Sequence, residues 1–508
     1  MLISVDLDSA SNSQRDDSIV VVGSGPAGAA ATLLLTRAGL DVTLLEAGSA
    51  HKAWGLTARI GGFTVARLCR ALPARTDALT ITGDPDAVVY EDLSPGGLTN
   101  QWSCAVPRFS PDDFLDAKRA GEAYEWPIDY DDLVPWYEWV EPLLCISGSP
   151  TSVPQLPAGK ITDARTLGRT WDPIVKAAHR QGQGVAPVPY VYGGRTTLTL
   201  SGTVFNSFVR LVKPARRSGH LTIRFGARVT QLEWDSARRR VEAVIVRDAR
   251  TGATHRLRCR AVVLAAGSIN TTKVLLQSTS RDFPQGLGNT HGVLGRYLHD
   301  HPLGKLEIEV ASPIGFQPAA CITRSPLHQT SPLYAAACLQ WSGIGLLLRS
   351  IRAGHPGRFN SCGFNVFGTM APSRENFVAL NASQTSTDGT PGLTLNIHHP
   401  PEAADTLAAA RDRLIGLLDA VNLRPRTRLW LIEPVGGAVH YAGTCRMHSS
   451  PEFGMLDRWG RLHAVSNVVV ADSSAFTTGP EKNPALTAMA LSARASQRLV
   501  DDLRAGNI

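Results

Sequence analysis

Ile19-Val20-Val21-Val22-Gly23-Ser24-Gly25-Pro26-Ala27-Gly28 is the stretch whose reading decides the fold. Four consecutive β-branched residues read as a strand buried on both faces. Gly23, Gly25 and Gly28 then fit, in turn, a tight turn, close backbone approach to a pyrophosphate, and a helix packed hard against the strand. The apolar run 29–35 continues that helix, whose N-terminus offers free N–H groups and a positive dipole end to phosphate. Gly39-Leu40 stops it, and Val42-Thr43-Leu44-Leu45-Glu46 forms a second strand that carries Glu46 to where a carboxylate accepts hydrogen bonds from an adenosine ribose. An acid there repels a 2′-phosphate and so argues against NADP. The stretch does not separate NAD from FAD, and an ordinary Gly-rich turn in a βαβ unit stays open as an alternative at this point.

The chain of 508 residues is long enough for two domains, one interrupting the other. No apolar run approaches the roughly 20 residues that span a bilayer, so no membrane partner is expected. Residues 1–17 are largely polar, carry acids and lack a basic n-region. They read as a loosely ordered tail, and the expected location is cytoplasmic. A formal charge of +7 invites a nucleic-acid reading. The basic clusters Arg216-Arg217 and Arg238-Arg239-Arg240 are not interleaved with aromatics, however, so a solvated face is expected and no nucleic acid. Eight cysteines without a C-x-x-C pair point to reduced thiols rather than a metal or dithiol centre.

Further along, paired glycines in Gly96-Gly97-Leu98-Thr99-Asn100-Gln101-Trp102-Ser103-Cys104 let backbone approach a flat ligand, although a surface turn explains them equally well. Trp136, Trp139 and Val140 share one helix face and read as core. Residues 146–200, rich in Pro, Gly, Ser and Thr, read as long surface loops. Strand patterns follow at 221–225, 227–232, 240–246 and 256–260, the later ones as an antiparallel meander. Ala261-Val262-Val263-Leu264-Ala265-Ala266-Gly267 is a buried strand entering a second glycine turn and a helix over 271–277, so the nucleotide domain resumes there and is discontinuous. Residues 303–430 alternate as strands (305–310, 393–397) with one helix, 403–420, giving a mostly antiparallel sheet with a helical cover. His299-Asp300-His301 and His398-His399 suggest metal ligands, but no further ligand stands at helical spacing. A structural or hydrogen-bonding role is expected instead.

The carboxyl-terminal segment carries the chemistry. His440 stands among small residues, Val468-Val469-Val470-Ala471-Asp472 is another buried strand ending on an acid, and Asn483-Pro484-Ala485-Leu486-Thr487 opens a long Ala-rich helix whose N-terminus can face an anionic group.

Taken in this order, the motifs at 19–48, 94–109, 259–278, 295–302 and 436–500 resemble the glucose-methanol-choline family of FAD-dependent oxidoreductases. The 96–109 segment looks most like its pyranose 2-oxidase branch. In that branch the position matching Gln101 is a histidine bonded covalently to flavin. Gln101 cannot form that bond, so the resemblance implies non-covalent FAD. It also implies cofactor contacts from Gly23, Gly25, Gly28, Glu46, Gly97, Trp102, Ser103 near flavin N5, Val229 at the adenine, Gly267, Asp472 by the pyrophosphate or ribityl chain, Asn483 and Thr487. His440 and Asn483 match the family's catalytic pair. A neutral imidazole accepts the hydroxyl proton while Asn483 holds the same oxygen, and flavin takes the hydride, so no metal is needed.

The expectation is therefore an α/β protein: a discontinuous Rossmann-like FAD domain (18–125, 215–302, 431–508), a cap segment (126–214) and an α+β substrate domain on an antiparallel sheet (303–430). The expected activity is oxidation of a sugar or glycoside hydroxyl to a carbonyl, with oxygen or another acceptor reoxidising the flavin. The alternatives are oxidation of a non-sugar secondary alcohol, such as a sterol or natural-product intermediate, and a non-oxidative flavoprotein.

Overall fold

The computed structural model describes residues 18–50, 78–100, 102–191, 205–312, 314, 318–328, 331–341, 361–387 and 389–508. The residues 1–17 and Gln101 lie outside the described residues.

The strand Ile19–Val22 is wholly buried and pairs in parallel with Val42–Glu46 on one side and Ala261–Leu264 on the other. The sheet continues in parallel to Leu221–Phe225 beyond Val42–Glu46 and to Val465–Val470 beyond Ala261–Leu264. A short antiparallel strand, Arg461–Leu462, closes that second edge. Three strands read as fully apolar in sequence thus lie side by side, because only a sheet covered on both faces accommodates them. The helix Pro26–Arg37 and the carboxyl-terminal helix Ala485–Arg504 pack together on this sheet. The Ser492 hydroxyl donates to the Ala27 carbonyl at 2.7 Å, joining the two helices across 465 residues of sequence.

The strands Ala227–Asp235, Arg240–Asp248 and Thr254–Arg258 form the expected antiparallel meander. The piece before them, Leu221–Phe225, instead extends the parallel sheet.

A second six-stranded sheet has the order Arg426–Ile432, Leu303–Glu309, Ser361–Gly368, Ala336–Trp341, Ala320–Ile322, Val185–Pro187, and every neighbouring pair is antiparallel. The helix Ala403–Ala420 covers it, with Leu407, Leu414, Leu417 and Leu418 buried against Leu306, Ile308, Phe364 and Val366. The architecture is the α/β arrangement expected, with two corrections. The 393–397 strand does not join this sheet. As Pro391–Ile397 it pairs in parallel with Leu79–Gly83 and antiparallel with Phe377–Thr385, in a separate three-stranded sheet. Residues 146–191 are not all loop either. They include the helix Asp172–His179, which buries Ile174, Ala177 and Ala178 at i, i+3 and i+4, and the edge strand Val185–Pro187. Eight helical residues flanked by Gly and Pro are too few for the period to stand out in sequence.

Candidate active site

The three fingerprint glycines do three different jobs. Gly23 has φ +95°, and a Cβ there would fall 2.6 Å from the Ala265 carbonyl oxygen. At Gly28 a Cβ would fall 2.0 Å from the Gly23 carbonyl oxygen, so helix and turn meet too closely for any side chain. A Cβ on Gly25 would meet no heavy atom within 4 Å. The helix that starts there has no side-chain cap, so its first-turn N–H groups face this open volume. Gly97 stands across the gap, where a Cβ would lie 3.5 Å from the Gly25 Cα.

Glu46 is buried and engaged by protein donors: the Ser24 amide at 3.1 Å, the Ser24 hydroxyl and the Gly48 amide at 2.7 Å. Burial pushes its carboxyl above the ordinary range, and these hydrogen bonds oppose that shift. The Ser24 hydroxyl in turn accepts from the Gly96 amide at 2.9 Å. Glu46 therefore fixes both the glycine turn and the 96–97 loop above it. Asp472 plays a parallel part on the other side. It accepts from the Gly267 amide at 2.9 Å, the Thr271 hydroxyl at 2.6 Å, and the Ser474 amide at 2.9 Å, and also from the Ser474 hydroxyl. Gly267, at φ +83°, also faces open space.

The uncapped starts of the helices Pro26–Arg37 and Ser268–Gln277, the open glycines and the carboxylates that organise the turns around them fit a dinucleotide. Of the other cofactor candidates, Val229 is buried in its strand, and Ser103 is exposed. Trp102 donates from Nε1 to the Phe205 carbonyl at 3.0 Å. The Thr487 hydroxyl is 2.9 Å from that of Tyr137, so its side chain is engaged within the protein.

His440 and Asn483, 43 residues apart in sequence, come together: Asn483 Nδ2 lies 3.3 Å from His440 Nε2. Asn483 is 6% exposed, and its Oδ1 has no hydrogen-bond partner among the described residues. The imidazole is held on its other sides by aromatic rings. Phe367 stacks on it at 5.7 Å and 25°, and His301 meets it edge-on at 5.0 Å and 88°. His301 places Nδ1 3.1 Å from the Gly368 carbonyl oxygen. Burial lowers the pKa of His301 to about 4, and that of His299 to about 4 as well, so both are neutral at pH 7. Among the described residues no group of three or more His, Cys, Asp or Glu is placed to hold a metal ion.

The segment before Asn483 is anchored by buried charge. Lys482 Nζ lies 2.9 and 2.8 Å from the two Asp113 carboxylate oxygens and 3.1 Å from Glu481 Oε1. Arg324 completes the cluster, 2.6 Å from Asp116 and 3.6 Å from Asp113. Burial works against ionising Glu481, but Lys482 and Arg324 outweigh it and bring its pKa down to about 2.

Comparison with known proteins bears on this arrangement. Two family models described as GMC oxidoreductase match residues 125–303 and 372–492, more than half of the chain between them. The chain belongs to the GMC oxidoreductase family. A model of the NAD(P)-binding Rossmann-like domain matches residues 21–76. Among GMC relatives, the 2-methyl-1,2-propanediol dehydrogenase of Mycolicibacterium austroafricanum is 27% identical, with 94% of each chain covered. The 6‴-hydroxyparomomycin C oxidase of Streptomyces lividus is 27% identical over 96% of this chain and 92% of its own. In fold, the chain is similar to the pyridoxine 4-oxidase crystal structure from Mesorbium loti, with TM-score 0.63, 17% identity, and 95% and 99% of the two chains covered. This GMC oxidoreductase is thus an enzyme of a family whose named relatives act as alcohol oxidases or dehydrogenases.

Residues around the pair that the sequence reading did not assign to the site are Asp300, His301, Phe367 and the Asp113–Lys482–Glu481 cluster. His299-Asp300-His301 was visible as a motif, and its hydrogen-bonding reading describes what the structure contains. Nothing local in sequence marks Phe367, which reaches His440 only through the pairing of the second sheet.

Proposed function

We propose that this GMC oxidoreductase uses non-covalent FAD to oxidise a sugar or glycoside hydroxyl to a carbonyl, and that it stands near the pyranose 2-oxidase-like branch. The observation that carries the reading is the His440–Asn483 pair, 3.3 Å apart, with a buried amide oxygen left free to meet a ligand. FAD, when bound, supplies the hydride acceptor. His440 Nε2 takes the hydroxyl proton as the C–H hydride departs, and the carbon–oxygen bond becomes a carbonyl. The second N–H of Asn483 Nδ2 donates to the same oxygen and fixes its direction without competing for the proton, and the free Oδ1 is left to accept from a neighbouring hydroxyl of the substrate. Phe367 and His301 keep the imidazole in one plane. Oxygen or another acceptor would take the two electrons of the overall oxidation.

Gly23, Gly25, Gly28, Glu46, Gly97, Gly267 and Asp472 would hold the dinucleotide, with Trp102, Ser103, Val229 and Thr487 as further contacts. We place the dinucleotide domain in residues 18–125, 215–302 and 431–508, the cap in 126–214, and the substrate-facing domain in 303–430. Gln101 offers an amide where covalent attachment needs an imidazole, which supports a dissociable flavin. The sugar class draws support from the Streptomyces relative, whose name places an aminoglycoside as its substrate. A non-sugar alcohol is the second reading, favoured by the apolar Phe367 face beside His440. The test is anaerobic titration of the yellow holoprotein with free sugars, glycosides and simple diols. Bleaching by the first two classes supports the proposal, bleaching by diols alone supports the second reading, and no bleaching by any of them removes the sugar reading.

A further inference from the structure

We infer that Asp300 is a positioning residue for His440: its buried carboxylate holds the 438–440 turn in a strained backbone conformation that aims the imidazole at Asn483. The inference rests on the proposed role of His440.

Three observations carry it. Val439 has φ +62°, in the left-handed region that a β-branched side chain rarely occupies. Such a conformation persists only where its surroundings over-determine it. The His440 N–H donates to Asp300 Oδ1 at 2.7 Å, the His301 and Ala438 amides also lower the Asp300 carboxyl, and the Val439 N–H itself donates to the Gly436 carbonyl at 3.1 Å. With Val439 left-handed, the next amide, that of His440, is the one brought onto the carboxylate. Asp300 is 1% exposed, and its Oδ2 has no hydrogen-bond partner among the described residues. A carboxylate in that position is not there to stabilise the fold by pairing with a cation.

The turn is pinned upstream as well. A Cβ at Gly436, φ +86°, would fall 1.9 Å from the Val88 carbonyl oxygen, and the Tyr441 hydroxyl donates to the Gly436 carbonyl at 3.0 Å. The chain is therefore fixed on both sides of Val439, and Asp300 supplies the force in between. Burial pushes Asp300 up to about 6, against the amide hydrogen bonds that lower it. Keeping this carboxyl ionised therefore works against its burial.

The experiment is a double-mutant cycle of Asp300→Asn and Val439→Gly, read by anaerobic flavin reduction and by thermal unfolding, both in the holoprotein at equal flavin content. Asp300→Asn removes the anion at nearly constant volume. Flavin reduction slows by about 10- to 100-fold, as expected for an imidazole displaced by up to about 1 Å. The holoprotein variant unfolds at the wild-type temperature or above. The left-handed penalty for a β-carbon is about 5- to 30-fold in population, so adding Val439→Gly recovers about 5-fold or more of the rate. A merely structural carboxylate would lose stability together with activity and would not be rescued at Val439.

Wild-type reduction by Asp300→Asn, or a double variant no faster than that single one, overturns the inference. Val439→Pro locks φ near −65° and removes the Val439 N–H that donates to the Gly436 carbonyl, while keeping Asp300 and the His440 amide. It therefore tests whether the left-handed turn aims the imidazole should Asp300→Asn not fold. It is expected to slow reduction with flavin retained, and a wild-type rate overturns the inference. His440→Ala run in parallel separates the two layers: if it leaves reduction unchanged, the His440 reading has failed and the inference falls with it.

Discussion

Lys482→Met is expected to destabilise the protein by an amount the structure sets. Lys482 is 6% exposed and is the cation nearest to two buried carboxylates, at 2.8 Å from Asp113 and 3.1 Å from Glu481. Removing it leaves both facing Arg324 alone, at 3.6 and 3.9 Å. Breaking a buried pair by deleting one partner costs about 3–5 kcal/mol, because the remaining charge is uncompensated. Unfolding entropy is about 2.1 cal/mol/K per residue. For 508 residues that is about 1 kcal/mol per degree, so the midpoint falls by about 3–5 °C.

The sign with pH follows from Glu481, which is held down to about 2. Its contribution is present above the ordinary carboxylate range, and it is lost as pH falls from about 4.5 towards 2. The variant's carboxylates can protonate instead, so the deficit narrows in acid. Scanning calorimetry at one fixed scan rate, at pH 7 and pH 4.5, measures both points, since a chain of this size often unfolds irreversibly. Asp113→Asn added to Lys482→Met restores part of the loss. A shift under about 1 °C at pH 7, or a deficit that grows in acid, refutes the reasoning.

Gly28→Ala places a Cβ 2.0 Å from the Gly23 carbonyl oxygen, so the purified variant is expected to lose its flavin absorbance. Retention of a full complement would show that the glycine turn does not shape the cofactor site. Acid precipitation of the wild-type holoprotein is expected to release all the yellow colour to the supernatant. Colour left on the pellet would contradict non-covalent binding at Gln101.

The central sheet was legible where its strands are buried on both faces and largely apolar: 19–22, 42–46 and 261–264 are strands as read, and the strand read at 468–472 is Val465–Val470. Their glycine turns were legible for a related reason, since Gly23 and Gly28 stand where no side chain fits. The alternating sheet beyond 303 was recognisable as antiparallel, but its membership was not. Val185–Pro187 joins its edge from far upstream, and Pro391–Ile397 leaves it for a parallel partner at Leu79–Gly83. Period-2 patterning identifies a strand's faces without naming its neighbours. The site shows the same division. His440 and Asn483 came from motif resemblance, whereas Phe367 and the Asp113–Lys482 pair reach them only through tertiary pairing. Asp300 sat in a visible motif, yet its bond to the His440 amide depends on the φ of Val439, which no side-chain pattern encodes.

The most direct measurement is the rate of anaerobic flavin reduction by a bleaching alcohol in wild type and in His440→Ala, at equal flavin content. Loss of the general base is expected to slow it about 10²- to 10⁴-fold while the flavin stays bound. Equal rates in the two proteins would contradict proton removal by His440.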